Sequence, residues 1–139
     1  MTEPTLTAIH HVTLNVIDPE QSEQWYGRVL HFSRMTAYET PGFRRIIMRH
    51  PSGIVLGLGK HQAPEAAVPF SEQRTGLDHL AFQVADRGQL EEWRALFEDL
   101  GVDHSEIKPG AVPGSFLIVF RDPDNIQLEV FAPAPTSSG

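Results

Sequence analysis

The chain of 139 residues has no cysteine. Disulfides and thiolate metal sites are therefore excluded, and any metal must be held by nitrogen and oxygen donors. Basic residues are in the minority. Eleven Lys and Arg face eighteen Asp and Glu, a formal net charge of −7, which argues against the broad basic footprint that nucleic-acid binding needs. No long apolar run is present, so neither a transmembrane helix nor a membrane partner is expected. Met1 to Thr5 lack a charged start and an apolar core, so no signal peptide is expected and the cytoplasm is the default location. Pro133 and the residues that follow it read as a disordered tail over 133–139.

What the chain does have is a copy of itself. At an offset of 68 residues, His11, Val16, Asp18, Gln21, Glu23 and Trp25 fall on His79, Val84, Asp86, Gln89, Glu91 and Trp93. At an offset of 72, Pro41, Gly42, Ile46, Arg49, Pro51, Ile54 and Leu56 fall on Pro113, Gly114, Ile118, Arg121, Pro123, Ile126 and Leu128. A long period seen twice implies a duplicated half-domain rather than a solenoid.

Each half reads βαβββ. Ile9 to Ile17 and Leu77 to Ala85 alternate apolar and polar, the signature of half-buried strands. Asp18-Pro19 and Asp86 are helix caps, each with Gln three residues on. The helices bury Trp25 and Val29 in one copy and Leu90, Trp93, Leu96, Phe97 and Leu100 in the other. Strands Phe43–His50 and Ile54–Gly59 repeat as Phe116–Arg121 and Ile126–Phe131, with further strands near Met35–Glu39 and His104–Lys108. The expected organisation is an N-terminal arm 1–6, one domain over 7–132 with modules 7–60 and 77–132, and a linker 60–76. The fold class is α+β, two tandem βαβββ modules whose sheets would curve into a barrel-like mixed sheet around a cavity.

Alternation then places side chains. The helix of each half covers Val12, Leu14 and Val16, or Leu80, Phe82 and Val84, so His11 and His79 point the other way. Glu129 lies opposite Leu128 and Val130 on the last strand. Two imidazoles and a carboxylate suit one divalent first-row ion, with Fe2+, Mn2+, Zn2+, Ni2+ or Co2+ all open. The repeat position of Glu129 is Gly57, so the symmetric site lacks a second carboxylate and is expected to leave room for water or substrate. Thr13, Asn15, Gln83 and Gln127 are candidate substrate contacts. No side chain stands out as general base, which leaves that work to metal-bound water or to a residue the sequence does not place. His10 alternates to the opposite face, and His31, His50, His61 and His104 read as surface residues.

These residues resemble the vicinal oxygen chelate superfamily, the group of glyoxalase, bleomycin-resistance and extradiol-dioxygenase proteins. The likeness lies in His11-Val12-Thr13-Leu14-Asn15-Val16-Ile17-Asp18, in Gly76-Leu77-Asp78-His79-Leu80-Ala81-Phe82-Gln83-Val84, and in Asp122-Pro123-Asp124-Asn125-Ile126-Gln127-Leu128-Glu129. The resemblance implies paired βαβββ modules, a metal at His11, His79 and Glu129, a substrate chelated through vicinal oxygens, and a homodimer. It implies dioxygenase, lyase or isomerase chemistry. The alternative is a non-catalytic small-molecule or drug-binding protein of the bleomycin-resistance type. Gly57 weighs against glyoxalase I, whose members generally use four protein ligands. The absence of Arg or Lys after Glu129 departs from the fosfomycin-resistance pattern, and the absence of Tyr from Phe116–Arg121 departs from the extradiol pattern.

Overall fold

The computed structural model describes residues 3–136. The chain divides into two compact units, Met1–Val68 and Pro69–Gly139. Each is an open four-stranded sheet with one helix on it. Among the described residues the strands form two four-stranded sheets, and no closed sheet is present.

The first unit runs β1 (Val12–Asn15), α1 (Pro19–Leu30), β2 (Ser33–Thr40), β3 (Phe43–Arg49) and β4 (Val55–His61). The sheet order is β1-β4-β3-β2, with β1 parallel to β4 and the other pairs antiparallel. Asp18 caps α1 by accepting from the backbone N–H groups of Glu20 and Gln21, with Pro19 at the first helical position. The helix ends where His31 adopts a left-handed conformation at φ 67°. Leu14, Val16, Ile46, Met48, Leu56 and Leu58 face α1 and are buried. Each contributes on the order of 1.5–3 kcal/mol of hydrophobic stabilisation. The helix meets them with Tyr26, Val29 and Leu30. Val29 and Leu30 are buried as expected, but Tyr26 is fully buried whereas Trp25, the expected core residue, is only half-buried.

The second unit repeats this with β5 (Leu80–Gln83), α2 (Arg87–Leu100), β6 (Lys108–Pro109), β7 (Phe116–Arg121) and β8 (Gln127–Ala132), in the order β5-β8-β7-β6. Asp86 caps α2 and Gly101 ends it at φ 70°. Leu90 and Phe97 are buried against Ile118, Phe120, Leu128 and Val130, with Trp93 again half-buried at the margin.

Several strands differ in extent from their sequence expectation. β1 and β5 each span four residues, so His11 and His79 sit just ahead of the ladder. β4 continues to His61, and a 3₁₀ turn follows at Pro64–Ala67. β2 is longer than expected and carries a register shift between Arg34 and Thr36, while β6 shrinks to two residues plus an isolated bridge, His104 to Phe120. Pro109 ends β6 because it cannot extend a ladder. His50 and His104 are half-buried, packed against Phe32 and Phe97. Of the expected disordered tail, 137–139 lie outside the described residues.

Candidate metal and ligand site

In the second unit, β8 alternates. Leu128 and Val130 face α2, so Gln127, Glu129 and Phe131 occupy the open face. Glu129 pairs in register with Ala81 on one side and Val119 on the other. His79 precedes β5 at the same end of the sheet, and its Nε2 stands 3.5 Å from Glu129 Oε2. The Glu129 side chain is 13% exposed and that of His79 40%. The structure thus brings these two side chains together within one unit.

The other ring nitrogen of His79 is occupied. Nδ1 lies 2.7 Å from Asp78 Oδ1, a carboxylate that only accepts, so Nδ1 donates. In the neutral ring this leaves Nε2 as a lone-pair donor facing a carboxylate oxygen, two electron-rich atoms with a gap between them. A divalent cation fits that gap. Two N and O ligands about 2.1 Å from one ion at a tetrahedral angle stand roughly 3.4 Å apart. A proton is the other possible filling.

Asp78 is itself held. Gln127 Nε2 donates to Asp78 O at 3.1 Å and to Asp78 Oδ1 at 3.2 Å. Arg121 Nη2 donates to Gln127 Oε1 at 3.2 Å. Arg121 in turn makes a two-pronged pair with Glu72, both contacts 3.0 Å, and donates to Asn125 O at 3.0 Å. The Arg121 hydrogen bonds hold the Glu72 carboxyl down to about 2, well below the usual carboxylate range. A hydrogen-bonded chain thus runs Glu72–Arg121–Gln127–Asp78–His79, and Glu129 stands 3.5 Å beyond it. Gln127, a candidate substrate contact in the sequence, has both ends of its amide engaged in it.

In the first unit, His11 is exposed just before β1, with its Nδ1 2.8 Å from His10 Nδ1. It borders a shallow surface depression of about 310 Å³ with Ser52, Gly53 and Ile54. Thr13 and Asn15 follow on the open face of β1. Gly57 does not leave the space expected of it. It pairs in register with Thr13, and a Cβ at 57 would stand 2.5 Å from Thr13 Oγ1. The volume that a carboxylate stem would need is filled by the threonine. Gln83 is exposed at the end of β5. No group of three or more His, Asp or Glu side chains is gathered at one point among the described residues.

Asp78, Arg121 and Glu72 were not among the sequence candidates. Asp78 is the acidic neighbour of the candidate residue His79 in the sequence. Arg121 was marked by its repeat partner Arg49, but Glu72 lies in the segment between the halves and has no repeat signal.

Comparison with known proteins agrees with this architecture. The model of the Glyoxalase/Bleomycin resistance protein/Dioxygenase superfamily matches residues 8–130, and the chain belongs to that superfamily. It is 27% identical over 128 residues to the uncharacterized protein YwkD of Bacillus subtilis, covering 91% of this chain and 97% of that one. It is 25% identical over 130 residues to the metallothiol transferase FosB of Staphylococcus epidermidis, covering 90% and 81%. A glyoxylase/bleomycin resistance protein/dioxygenase domain from Frankia sp. EAN1pec superposes with a TM-score of 0.84 at 26% identity, covering 96% of each chain. Among the described residues no helix is long and apolar enough to cross a membrane.

Proposed function

We propose that this protein is a metal-dependent enzyme acting on a small molecule that presents vicinal oxygens to one divalent ion. The observation that supports it is the His79 Nε2 to Glu129 Oε2 pair, 3.5 Å apart, with the far nitrogen of His79 committed to Asp78. Two lone-pair donors held face to face are costly unless a cation or proton lies between them. His79 and Glu129 are two ligands of this reading, and His11, taken from the repeat, is the third. Bound there, a divalent ion supplies Lewis acidity toward chelating oxygens, the property shared by dioxygenase, lyase and isomerase chemistry.

The chain's own residues do the positioning. Asp78 fixes the His79 tautomer and ring plane. Gln127 holds Asp78 by its side chain and its backbone carbonyl at once, so a ligand histidine and its orienting carboxylate move together. The metallothiol transferase name of the FosB relative is consistent with a metal and with small-molecule chemistry.

The test is the metal content of untagged protein purified without oxygen, followed by calorimetric titration of Mn2+ and Zn2+. About one ion per chain is expected. His79→Ala should weaken binding by more than a hundredfold, because two remaining ligands rarely retain such an ion. Iron or manganese would direct attention to oxygen chemistry, zinc or nickel to isomerase or lyase chemistry. A chain that holds no divalent ion under these conditions would leave ligand binding without metal catalysis as the standing reading. We also expect a homodimer, and sedimentation of the protein as a monomer would refute that part alone.

A further inference from the structure

The open face of the first sheet carries a second polar device. In β3, Ile46 and Met48 face the helix, and Arg44 reaches Glu20 on α1 from that side. Phe43, Arg45, Ile47 and Arg49 therefore point to the open face. Strand register sets Tyr38, Arg45, Gly59 and Asn15 in one line across all four strands. The line has a hollow at Gly59, and Arg45 lies in it. A Cβ at 59 would be 3.3 Å from Arg45 Nε, 3.6 Å from its Nη2 and 3.6 Å from Asn15 Oδ1. The guanidinium carbon sits 4.6 Å from the centre of the Phe43 ring, and Nη1 donates to Tyr38 Oη at 3.4 Å.

What this guanidinium lacks is a counter-charge. Arg34, Arg44, Arg94 and Arg121 each pair with a glutamate. Arg45 is half-buried, its Nε is buried with no hydrogen-bond partner, and no carboxylate among the described residues pairs with it. In a chain with eighteen acidic residues this is not for want of carboxylates. A half-buried cation with idle donors is unfavourable on its own, and the contact with Phe43 offsets only part of that. Of the five N–H donors in its planar fork, one reaches a protein acceptor, which leaves the fork to take an oxyanion in two-pronged fashion.

We propose that Arg45, with Tyr38 and Asn15 beside it, is the anchor for an oxyanion, a carboxylate or phosphonate, on the small-molecule ligand. The proposal rests on the enzyme reading above for its ligand and narrows that ligand to one bearing such a group. Asn15 shares the Arg45 row and lies four residues along the chain from His11. That is roughly 13 Å at about 3.3 Å per residue. The anchored group is thus one remote from that histidine, which makes Arg45 a residue of specificity rather than of chemistry.

The experiment titrates methylphosphonate, and acetate in parallel, into the metal-stripped full-length chain. Calorimetry and the arginine side-chain N–H signals in NMR report binding. Saturable binding is expected for the parent chain, with the Arg45 signals shifting. Arg45→Met should weaken it at least tenfold. Gly59→Ala, whose methyl would press on Nε, should weaken it several-fold without removing any charge. Arg49→Met, on the same face and strand, should bind as the parent does. His79→Ala should also bind as the parent does, which separates this anchor from the metal reading. If metal binding fails while phosphonate binding persists, the anchor stands alone. Absence of saturable binding to the parent, parent-like binding in Arg45→Met, or equal loss in Arg49→Met would each overturn the proposal.

Discussion

The two sheets have the same ladder but carry their side chains in opposite senses. In the first unit Thr13 on β1 stands beside Gly57 on β4. In the second Ala81 on β5 stands beside Glu129 on β8. Each register pair holds one larger and one small residue, but the strand that carries the larger one has changed. One row along, the line Asn15–Gly59–Arg45 is matched by Gln83–Phe131–Leu117. The hollow that holds a cation in one sheet is filled by Phe131 and Leu117 in the other. The backbone register therefore fixes how much volume each row can hold, not which chemistry fills it. One sheet carries a guanidinium over glycine, the other a histidine and a carboxylate.

The helix cores are redistributed in the same way, and this is where the largest effect is expected. By the repeat, Ser22 and Val29 of α1 match Leu90 and Phe97 of α2, while Tyr26 matches Arg94. Tyr26 is fully buried and supplies the volume that its smaller neighbours do not. Tyr26→Ala should cost about 3–5 kcal/mol in urea unfolding. Arg94→Ala at the same repeat position, with its side chain 45% exposed, should cost at most about 0.5 kcal/mol. Similar costs at the two positions would break the comparison.

A second test exchanges the register pair itself. Gly57→Glu alone places a Cβ where Thr13 Oγ1 stands and should destabilise by roughly 2–3 kcal/mol through overpacking. Adding Thr13→Ala recreates the Ala81–Glu129 arrangement in the first sheet. The double variant should recover about 1–2 kcal/mol, read as the coupling energy of the cycle. Additive costs would mean that the two residues do not compete for one volume.

The fold was legible where chemistry and periodicity agreed. Asp18-Pro19 and Asp86 specify helix starts by their hydrogen bonds, and both caps form. The alternation of β8 put Glu129 opposite Leu128 and Val130, and it lies there. Trp25 was misread because Trp25 and Tyr26 both stand at helical spacing from the buried Val29 and Leu30, and periodicity does not choose between two neighbouring aromatic rings. Gly57 was misread because a glycine in a sequence looks like empty space. Its neighbour in space, Thr13, belongs to a strand more than forty residues away, and the pairing is set by register. The hydrogen-bond chain through Arg121 was invisible for a similar reason. Glu72 reaches β7 from the connecting segment, and nothing local marks that contact.

The smallest effect distinguishes the turns between the last two strands of each unit. Gly53 and Asn125 occupy the same repeat position and both have positive φ, 101° and 67°. Two residues before the glycine's neighbour, the turns differ in their acceptor. In the second unit Asp122 Oδ1 accepts from the N–H groups of Asp124 and Ile126 at 2.8 and 2.9 Å. In the first, the matching residue His50 accepts at Nδ1 from the Ser52 N–H at 3.0 Å, with Ser52 Oγ 2.8 Å away. Only an unprotonated Nδ1 can accept. Burial, with His31 as a nearby like charge, pushes the His50 pKa below its usual value of 6.5. A folded-state value below the unfolded one means that the stabilisation is complete above about pH 6.5 and is lost as pH falls through the lower folded value. His50→Asn keeps a side-chain acceptor without a proton to gain. Near pH 8 it should differ from the parent by less than about 1 kcal/mol. As pH falls toward 5.5, the parent should lose more stability than His50→Asn does, and the two unfolding midpoints should converge or cross. Parallel pH profiles for the two proteins would show that the first turn does not depend on a neutral histidine and that the two turns respond alike.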